Sequence, residues 1–177
     1  MKLSNAEKLI LVMLSDITEK LHIDHGIDPK LIKSAIHSGN TWAIDSKYPG
    51  LGEAEESMPP LVSEITNILE MWTYIEEGYK ELGGDDKTLV KTSAGLANAP
   101  RYNGFDRDTE ASEYNIAYFL IYDLKLFKKF KHDDASVRGA KMAAYQAMYK
   151  VWETIKPTLN DEYLSAQQLI SILSGNR

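Results

Sequence analysis

The stretch LVSEITNILEMWTYIEEGYKEL, residues 61–82, decides the fold class. Its large apolar side chains recur at the three- and four-residue spacing that places them on one face of an α-helix. They are Leu61, Ile65, Ile68, Leu69, Trp72, Ile75, Tyr79 and Leu82. Pro59 and Pro60 precede the stretch, and Gly83 and Gly84 follow it, so residues that start or stop helices stand at both ends. The stretch therefore predicts one long amphipathic helix that packs against a core.

Helix-start signals continue toward the N-terminus. Ser4 and Glu7 have the spacing of a capping box, and Asp28 followed by Pro29 is typical of the first residues of a second helix, which Gly39 would close. A shorter third helix is predicted over 41–47. After the capping box, one helical face carries Leu9, Ile10, Met13, Leu14, Ile17 and Leu21, and Gly26 is the expected stop.

Residues 106–131 predict a long helix whose charges match the helix dipole, with acidic residues at its start and lysines at its end. Its middle, 116–124, is apolar on all sides, so we expect a largely buried helix, covered either by its own domain or by a partner chain. A further apolar stripe over 144–155 predicts another helix. Ser165 and Gln168 form a second capping box, which predicts the last helix.

No segment alternates apolar and polar residues as a half-buried strand would. Only a turn of helix is expected between 88 and 96. We therefore predict an all-α, single-domain helical bundle of about six or seven helices over residues 1–177. Within it we expect an acidic N-terminal helical part, 1–48, a linker, 49–60, and a main helical part, 61–177.

Composition excludes several classes of function. The chain has 20 Lys and Arg against 26 Asp and Glu, a net charge of −6, which argues against broad polyanion binding. Cysteine is absent, which excludes disulfides, thiol catalysis and cysteine-ligated metal centres. No phosphate-binding glycine loop, nucleophile elbow or bundle di-iron motif occurs in the sequence. No secretory signal or membrane-spanning run is visible, so a cytoplasmic location is expected.

Several short segments together carry a family resemblance. They are Asn5-Ala6-Glu7-Lys8-Leu9-Ile10-Leu11, Ile68-Leu69-Glu70-Met71-Trp72, Gly104-Phe105-Asp106 with Thr109-Glu110, His132, Tyr145-Gln146 with Met148 and Val151-Trp152, and Leu164-Ser165-Ala166. In order and spacing they resemble the YfbU family of uncharacterised bacterial proteins, over nearly the whole chain. The resemblance implies a helical protein of the bacterial cytoplasm. It implies no reaction and supplies no catalytic or binding residues.

The segment that approaches residue 110 is the first candidate for binding. A helix N-terminus offers unpaired N–H groups to an anion, and an arginine adds a bidentate clamp. The candidate residues for a ligand or partner are Arg101, Tyr102, Phe105, Asp106, Arg107 and Glu110. Simple helix capping by the acidic members is the alternative interpretation. In the narrower functional interpretation, the two arginines and Tyr102 project from the loop to meet a carboxylate or a partner.

Two histidine clusters are candidates for a divalent metal, because imidazoles and carboxylates are typical ligands. The first is His22, Asp24 and His25; the second is His132 with Asp133, a pair that also occurs in all-α metal phosphohydrolases. The alternative is that these residues decorate helix C-termini, where cationic and polar side chains meet unpaired carbonyl groups.

Taken together, the sequence predicts an interaction or regulatory module that acts as a homo-oligomer, with a homodimer as the simplest form, rather than an enzyme. Tyrosine and tryptophan are abundant, and both are favoured at interfaces. A metal-dependent hydrolase using the His-Asp pair and a nucleic-acid-binding regulator remain alternatives; the helices at 28–38 and 41–47 have helix-turn-helix lengths but an acidic balance. No cofactor is expected unless the hydrolase alternative holds, and no membrane partner is expected.

Overall fold

The structure, a computed structural model, describes residues 3–49, 58–131, 139–160 and 162–175. Eight α-helices lie in these ranges: α1 Asn5–Leu21, α2 Pro29–Ser38, α3 Trp42–Lys47, α4 Pro60–Glu81, α5 Gly84–Ala94, α6 Ala111–Tyr118, α7 Met142–Ile155 and α8 Ala166–Ser174. Helical residues make up 69% of the described chain, which contains no strand. The all-α prediction is confirmed. Within the described ranges no helix is both long enough and apolar enough to cross a bilayer.

The helix ends that carry capping signals in the sequence are confirmed. Ser4 and Ser165 each accept a hydrogen bond from the backbone three residues later, and each capping box is complete. Asp28 caps α2 by accepting from the N–H of Lys30 at 2.9 Å, and Gly39 closes that helix in the left-handed conformation, at φ 76°. These ends are set by groups within one turn of the chain, so local sequence predicts them well.

Helix α4 forms the centre of the main apolar cluster. Its inward face packs against α6, α7 and α8. Its fully buried side chains include Ile65, Leu69, Met71 and Ile75. Burying an apolar side chain of this size, rather than leaving it in water, stabilises the folded state by about 1.5–3 kcal/mol. Gly78 lets the segment before α8 approach closely, because an added Cβ there would lie 2.8 Å from the Cβ of Leu164.

The prediction of a single helix over 106–131 is wrong, because the segment forms a shorter helix followed by other turns. α6 begins only at Ala111, and Tyr118 is followed by a π-helical turn, Phe119–Asp123. Leu124 donates to the carbonyl of Phe119, five residues back, and the wider turn leads to a reversal at Lys125, whose φ is 58°. A short 3-10 turn, Lys128–Phe130, follows. Residues of the same chain bury most of the middle of the segment, but Tyr118 is 42% exposed, so the segment is not buried on all sides as expected.

Two other boundaries differ from the prediction. Gly83 and Gly84 do not simply end α4: they are the N-cap and first residue of α5, a full helix where one turn was expected. Asp85 and Asp86 follow in its first turn, where negative charge favours the helix dipole. α1 ends at Leu21 rather than near Gly26, because His22 adopts a left-handed conformation with φ 53°.

A second, smaller apolar cluster holds the N-terminal helices. Its buried members are Leu31, Ile32, Ala35, Ala43, Ile44 and Phe119. Phe119 comes from the π-helical turn, and its ring meets that of Trp42 edge to face with centroids 5.9 Å apart. The π-helical turn therefore contributes to both clusters, since its neighbours Leu120 and Ile121 belong to the main one. The proposed linker falls mostly on 50–57, outside the described residues, so the division into parts stays a prediction.

Candidate functional site

Two acidic side chains of the candidate segment, Asp106 and Glu110, connect parts of the chain that are distant in sequence. Oε1 of Glu110 accepts hydrogen bonds from the N–H groups of Lys141, at 2.7 Å, and Met142, at 2.6 Å. Oδ2 of Asp106 accepts one from Gly139 at 2.6 Å. Both side chains are buried. Glu110 thus occupies the N-terminal end of α7, where unpaired N–H groups favour negative charge.

The other carboxylate oxygens bind their own segment. Oδ1 of Asp106 accepts from Thr109 at 3.1 Å and from Asp108 at 2.9 Å, and Oε2 of Glu110 accepts from the N–H of Asp106 at 3.0 Å. Backbone N–H groups of Thr109, Asp108 and Gly139 lower the pKa of Asp106. Asp106 therefore caps a turn that precedes α6, rather than the first turn of a long helix. The capping that the sequence left as an alternative is what both side chains do.

Tyr102 and Phe105 lie in a buried aromatic cluster with Trp72, Phe130 and Tyr145. The ring centroids are 5.0 Å apart for Tyr102 and Phe130, and 5.5 Å apart for Phe105 and Tyr145. Trp72 meets Tyr145 edge to face at 5.6 Å. The expectation that Tyr102 projects from the loop is wrong, because only 4% of it is exposed. Its ring anchors the loop to the core instead.

The polar atoms of the buried tyrosine and tryptophan rings differ in their hydrogen bonding. The hydroxyl of Tyr145 donates to the carbonyl of Gly104 at 3.2 Å. The hydroxyl of Tyr102 and the Nε1 atoms of Trp72 and Trp152 have no hydrogen-bond partner within the described part of the chain. Burial raises the pKa of both tyrosines, so their hydroxyls stay protonated at neutral pH.

The two arginines of the candidate segment remain at the surface. Nε of Arg101 donates to Oδ1 of Asn103 at 3.2 Å, which holds that side chain along its own loop. Arg107 extends toward α6, and its guanidinium lies 5.8 Å from the ring centre of Tyr114. Neither of these arginine contacts involves Asp106 or Glu110, so the four side chains do not form one binding site in the structure. Their part in binding stays a prediction.

A row of tyrosines runs along α6 and the π-helical turn. The ring centroids of Tyr114 and Tyr118 lie 6.1 Å apart, and the ring of Tyr118 stacks on that of Tyr122 with centroids 4.5 Å apart. Arg107 covers the first ring, and the amine of Lys131 lies 5.5 Å from the last. The three rings thus contact one another along the row, between two cations, while Tyr118 in the middle remains exposed on its outer side.

The first histidine cluster is an exposed loop. Oδ1 of Asp24 accepts from the N–H of Gly26 at 3.2 Å, and Nδ1 of His25 accepts from the N–H of Ile27 at 3.3 Å. His22 is the C-cap residue of α1. The side chains of Asp24 and His25 and the backbone of His22 therefore shape the turn between α1 and α2.

The second histidine cluster, His132 and Asp133, lies outside the described residues. Within the ranges that the structure describes, no three His, Asp or Glu side chains lie close enough together to hold a metal ion. A divalent metal thus stays a prediction that depends on the second cluster.

A shallow groove runs along the outer face of α4 on either side of Tyr74. Cavities of about 490 and 330 Å³ both contact Tyr74 and Glu77. Lys129 pairs with Glu77 at 2.8 Å, and Lys156 pairs with Glu70 at 2.9 Å, a hydrogen bond that raises the pKa of Lys156. Lysines of the same chain pair with both carboxylates. The groove therefore does not present a surface of one charge that would select a ligand of the opposite charge.

The outer face of α1 carries more exposed large apolar side chains than any other helix among the described residues. Six side chains on this face are between 49% and 64% exposed: Leu9, Ile10, Met13, Leu14, Ile17 and Leu21. The opposite face of α1 is already used, because Ser15 is buried and Leu11 packs on the smaller cluster. Lys33 of α2 holds the two helices together through Asp16, at 2.9 Å, and Glu19.

The YfbU domain matches residues 1–175 of the 177-residue chain. The chain belongs to the YfbU family. The match includes all eight helices of the described residues and the candidate residues between 101 and 110. No curated protein and no solved structure matches the chain.

In this YfbU-family protein the sequence alone does not show that the apolar face of α1 is exposed. The stripe on α1 was recognised, but its periodicity does not say what covers it. A signal was present, because Leu11 and Val12 place apolar side chains on the face opposite the stripe. A helix that is apolar on both faces needs two neighbours, and α2 supplies one of them.

Proposed function

We propose that this YfbU-family protein is an interaction or regulatory module that acts as a homo-oligomer, most simply a homodimer, and that the outer face of α1 is its contact surface. The observation that carries the proposal is the exposure of six large apolar side chains on a helix whose other face is packed on α2. The proposal places the protein in the bacterial cytoplasm, as the family resemblance implies.

The size of the exposed surface supports an interface. Of the thirteen exposed large hydrophobic side chains in the described chain, seven fall between residues 9 and 23. Folded monomers rarely leave contiguous apolar patches larger than a few hundred Å² in water, and larger patches are typical of binding surfaces. Scattered exposed side chains need no explanation, but a continuous row along one helix does.

The partners of the charged side chains support a binding role over a catalytic one. Asp106 and Glu110 bind backbone N–H groups, and Lys129 and Lys156 at the α4 groove are paired with glutamates. These carboxylates and lysines thus have partners within the chain that give them a structural role. No observation within the described ranges favours the hydrolase or the nucleic-acid alternative.

Light scattering as a function of protein concentration tests the proposal. The wild-type protein is expected to show twice the chain mass of 20.0 kDa at micromolar concentration. Ile17→Glu is expected to shift the mass to that of a single chain, because a charge on the apolar face must be desolvated in the interface. Since Ile17 is half exposed, the variant should keep its helical circular-dichroism signal.

Leu89→Glu is the matched control, because Leu89 is an exposed leucine on α5, away from α1. It should keep the wild-type mass. A wild-type protein that is strictly monomeric at micromolar concentration would contradict the proposal, and so would an Ile17→Glu variant that is as dimeric as the control.

A further inference from the structure

We infer that a second copy of this chain covers α1 by packing its own α1 in the antiparallel direction, about a twofold axis at the midpoint between Met13 and Leu14. The inference rests on the proposed homo-oligomer and specifies its geometry. With α2 behind each α1, the contact is a four-helix arrangement made of two copies of the α1–α2 pair.

The central part of the apolar face, residues 10–17, is symmetric about this midpoint, whereas the outer members Leu9 and Leu21 have Thr18 and Ala6 at their mirror positions. Ile10 and Ile17 are equally distant from it, and Met13 and Leu14 lie on either side of it. An antiparallel twofold pairing therefore places Ile10 of one copy beside Ile17 of the other, at both ends of the contact. Twofold interfaces must be self-complementary in this way, because the same patch serves both subunits.

The exposed area suits an interface between two copies. α1 has 17 residues and is therefore about 26 Å long, and its apolar row extends over most of that length. An interface of standard size buries about 800 Å² on each partner. The six large apolar side chains on the outer face of α1 are about half exposed. Together with the polar residues beside them, they present an area of that order.

Charge and dipole favour the antiparallel direction. Asp16 and Glu19 are paired with Lys33 of α2, and the carboxylate of Glu7 accepts hydrogen bonds from Ser4 in the capping box. Glu7 and Lys20 are equally distant from the proposed midpoint, so antiparallel packing places the Glu7 carboxylate of one copy toward the Lys20 amine of the other. It also opposes the two helix dipoles, whereas parallel packing would place like ends together.

A membrane surface is a less suitable occupant of the same face. Helices that lie in a bilayer interface usually have a polar face rich in lysine and arginine. The polar residues of α1 include three acids, Glu7, Asp16 and Glu19, against two lysines, Lys8 and Lys20. An anionic bilayer would therefore repel this helix as much as attract it.

Disulfide cross-linking of single-cysteine variants tests the geometry, and the natural absence of cysteine makes every cross-link unambiguous. Leu14→Cys lies beside the proposed axis, so mild oxidation should convert it into covalent dimer on a denaturing gel. Leu21→Cys lies far from the axis and should remain a single chain. A mixture of Ile10→Cys and Ile17→Cys proteins should give the mixed dimer, and Leu89→Cys should give no dimer.

Each outcome decides a separate point. Cross-linking of Leu21→Cys as readily as Leu14→Cys would overturn the antiparallel geometry and favour parallel helices, while the homo-oligomer would stand. A dimeric mass with no cross-link at any α1 position would overturn α1 as the interface. Wild-type protein that is monomeric alone but sediments with anionic phospholipid vesicles would overturn both the geometry and the homo-oligomer.

Discussion

Oε1 of Glu110 lies 2.6 Å from the backbone nitrogen of Met142, the first residue of α7. The same oxygen accepts from Lys141, so one buried carboxylate holds the start of a helix that begins more than thirty residues later in the chain. Because α7 has no cap from its own N-cap side chain, this distant carboxylate does the work that Ser4 and Ser165 do locally for α1 and α8.

Removing this carboxylate is expected to destabilise the protein strongly. Glu110→Ala leaves the N–H groups of Asp106, Lys141 and Met142 without their acceptor, and it should lower the free energy of unfolding by about 2–4 kcal/mol. Urea denaturation followed by circular dichroism measures the loss. Glu113→Ala, in the first turn of α6, is the control and should change stability by less than about 0.5 kcal/mol; equal losses in the two variants would contradict the assigned role.

The stability contributed by Asp106 should depend on pH. Its folded pKa lies below the ordinary value of 3.8, so the unfolded chain takes up a proton first as the pH falls. The contribution is fully present above the unfolded pKa and is lost as the pH falls through the lower folded pKa. The difference in unfolding free energy between wild type and Asp106→Asn should therefore be larger at about pH 6 than at about pH 3. Urea titrations at both pH values measure it, and a constant difference would contradict the prediction.

Gly78 is expected to tolerate no side chain. A Cβ would lie 2.8 Å from Cβ of Leu164 and 3.2 Å from its backbone nitrogen, so the backbone before α8 must move. Gly78→Ala should lower the free energy of unfolding by about 1–3 kcal/mol, although alanine is the better helix former. Gly84→Ala is the matched control, since no atom lies within 4 Å of its added Cβ. Thermal unfolding compares them, and an unchanged Gly78→Ala melting temperature would refute the close packing.

His22 should be replaceable by glycine with a gain in stability. Its φ of 53° is in the left-handed region, which costs a residue with a side chain roughly 1–2 kcal/mol. His22→Gly removes that cost, and the greater freedom of glycine in the unfolded chain offsets part of it, so a gain of about 0.5–1 kcal/mol is expected. His25→Gly serves as the control in the same loop and should destabilise, because it loses the acceptor for the N–H of Ile27. Melting temperatures that fall in both variants would argue against strain at His22.

The parts of the fold that the sequence predicts are those set by neighbouring residues. The capping boxes at Ser4 and Ser165 and the Asp28–Pro29 start were confirmed, because each involves atoms within one helical turn. The apolar stripe of α4 was confirmed as well, since six of its eight residues are buried and the other two, Leu61 and Leu82, are partly buried. Periodicity and capping are local properties, and a single sequence contains them in full.

The parts that were missed depend on what meets in space. The charge pattern of 106–131 suits one helix, but the apolar side chains of that segment must fill two separate clusters, and the π-helical turn at Phe119 directs them to both. The acidic residues at 106 and 110 were expected to start a helix that follows them directly, whereas Glu110 caps α7. No spacing in the sequence indicates that contact.

The attachment of α1 has a consequence for its motions. Because α1 packs mainly on α2, and α2 joins the main body through the small cluster around Phe119, α1 is the outermost cooperative unit of an isolated chain. Backbone amides in such a unit exchange with solvent by local opening, well before the protein unfolds globally. If a second copy covers the apolar face, the opening must also separate the two copies, and exchange at α1 should slow as protein concentration rises while exchange at α4 stays constant.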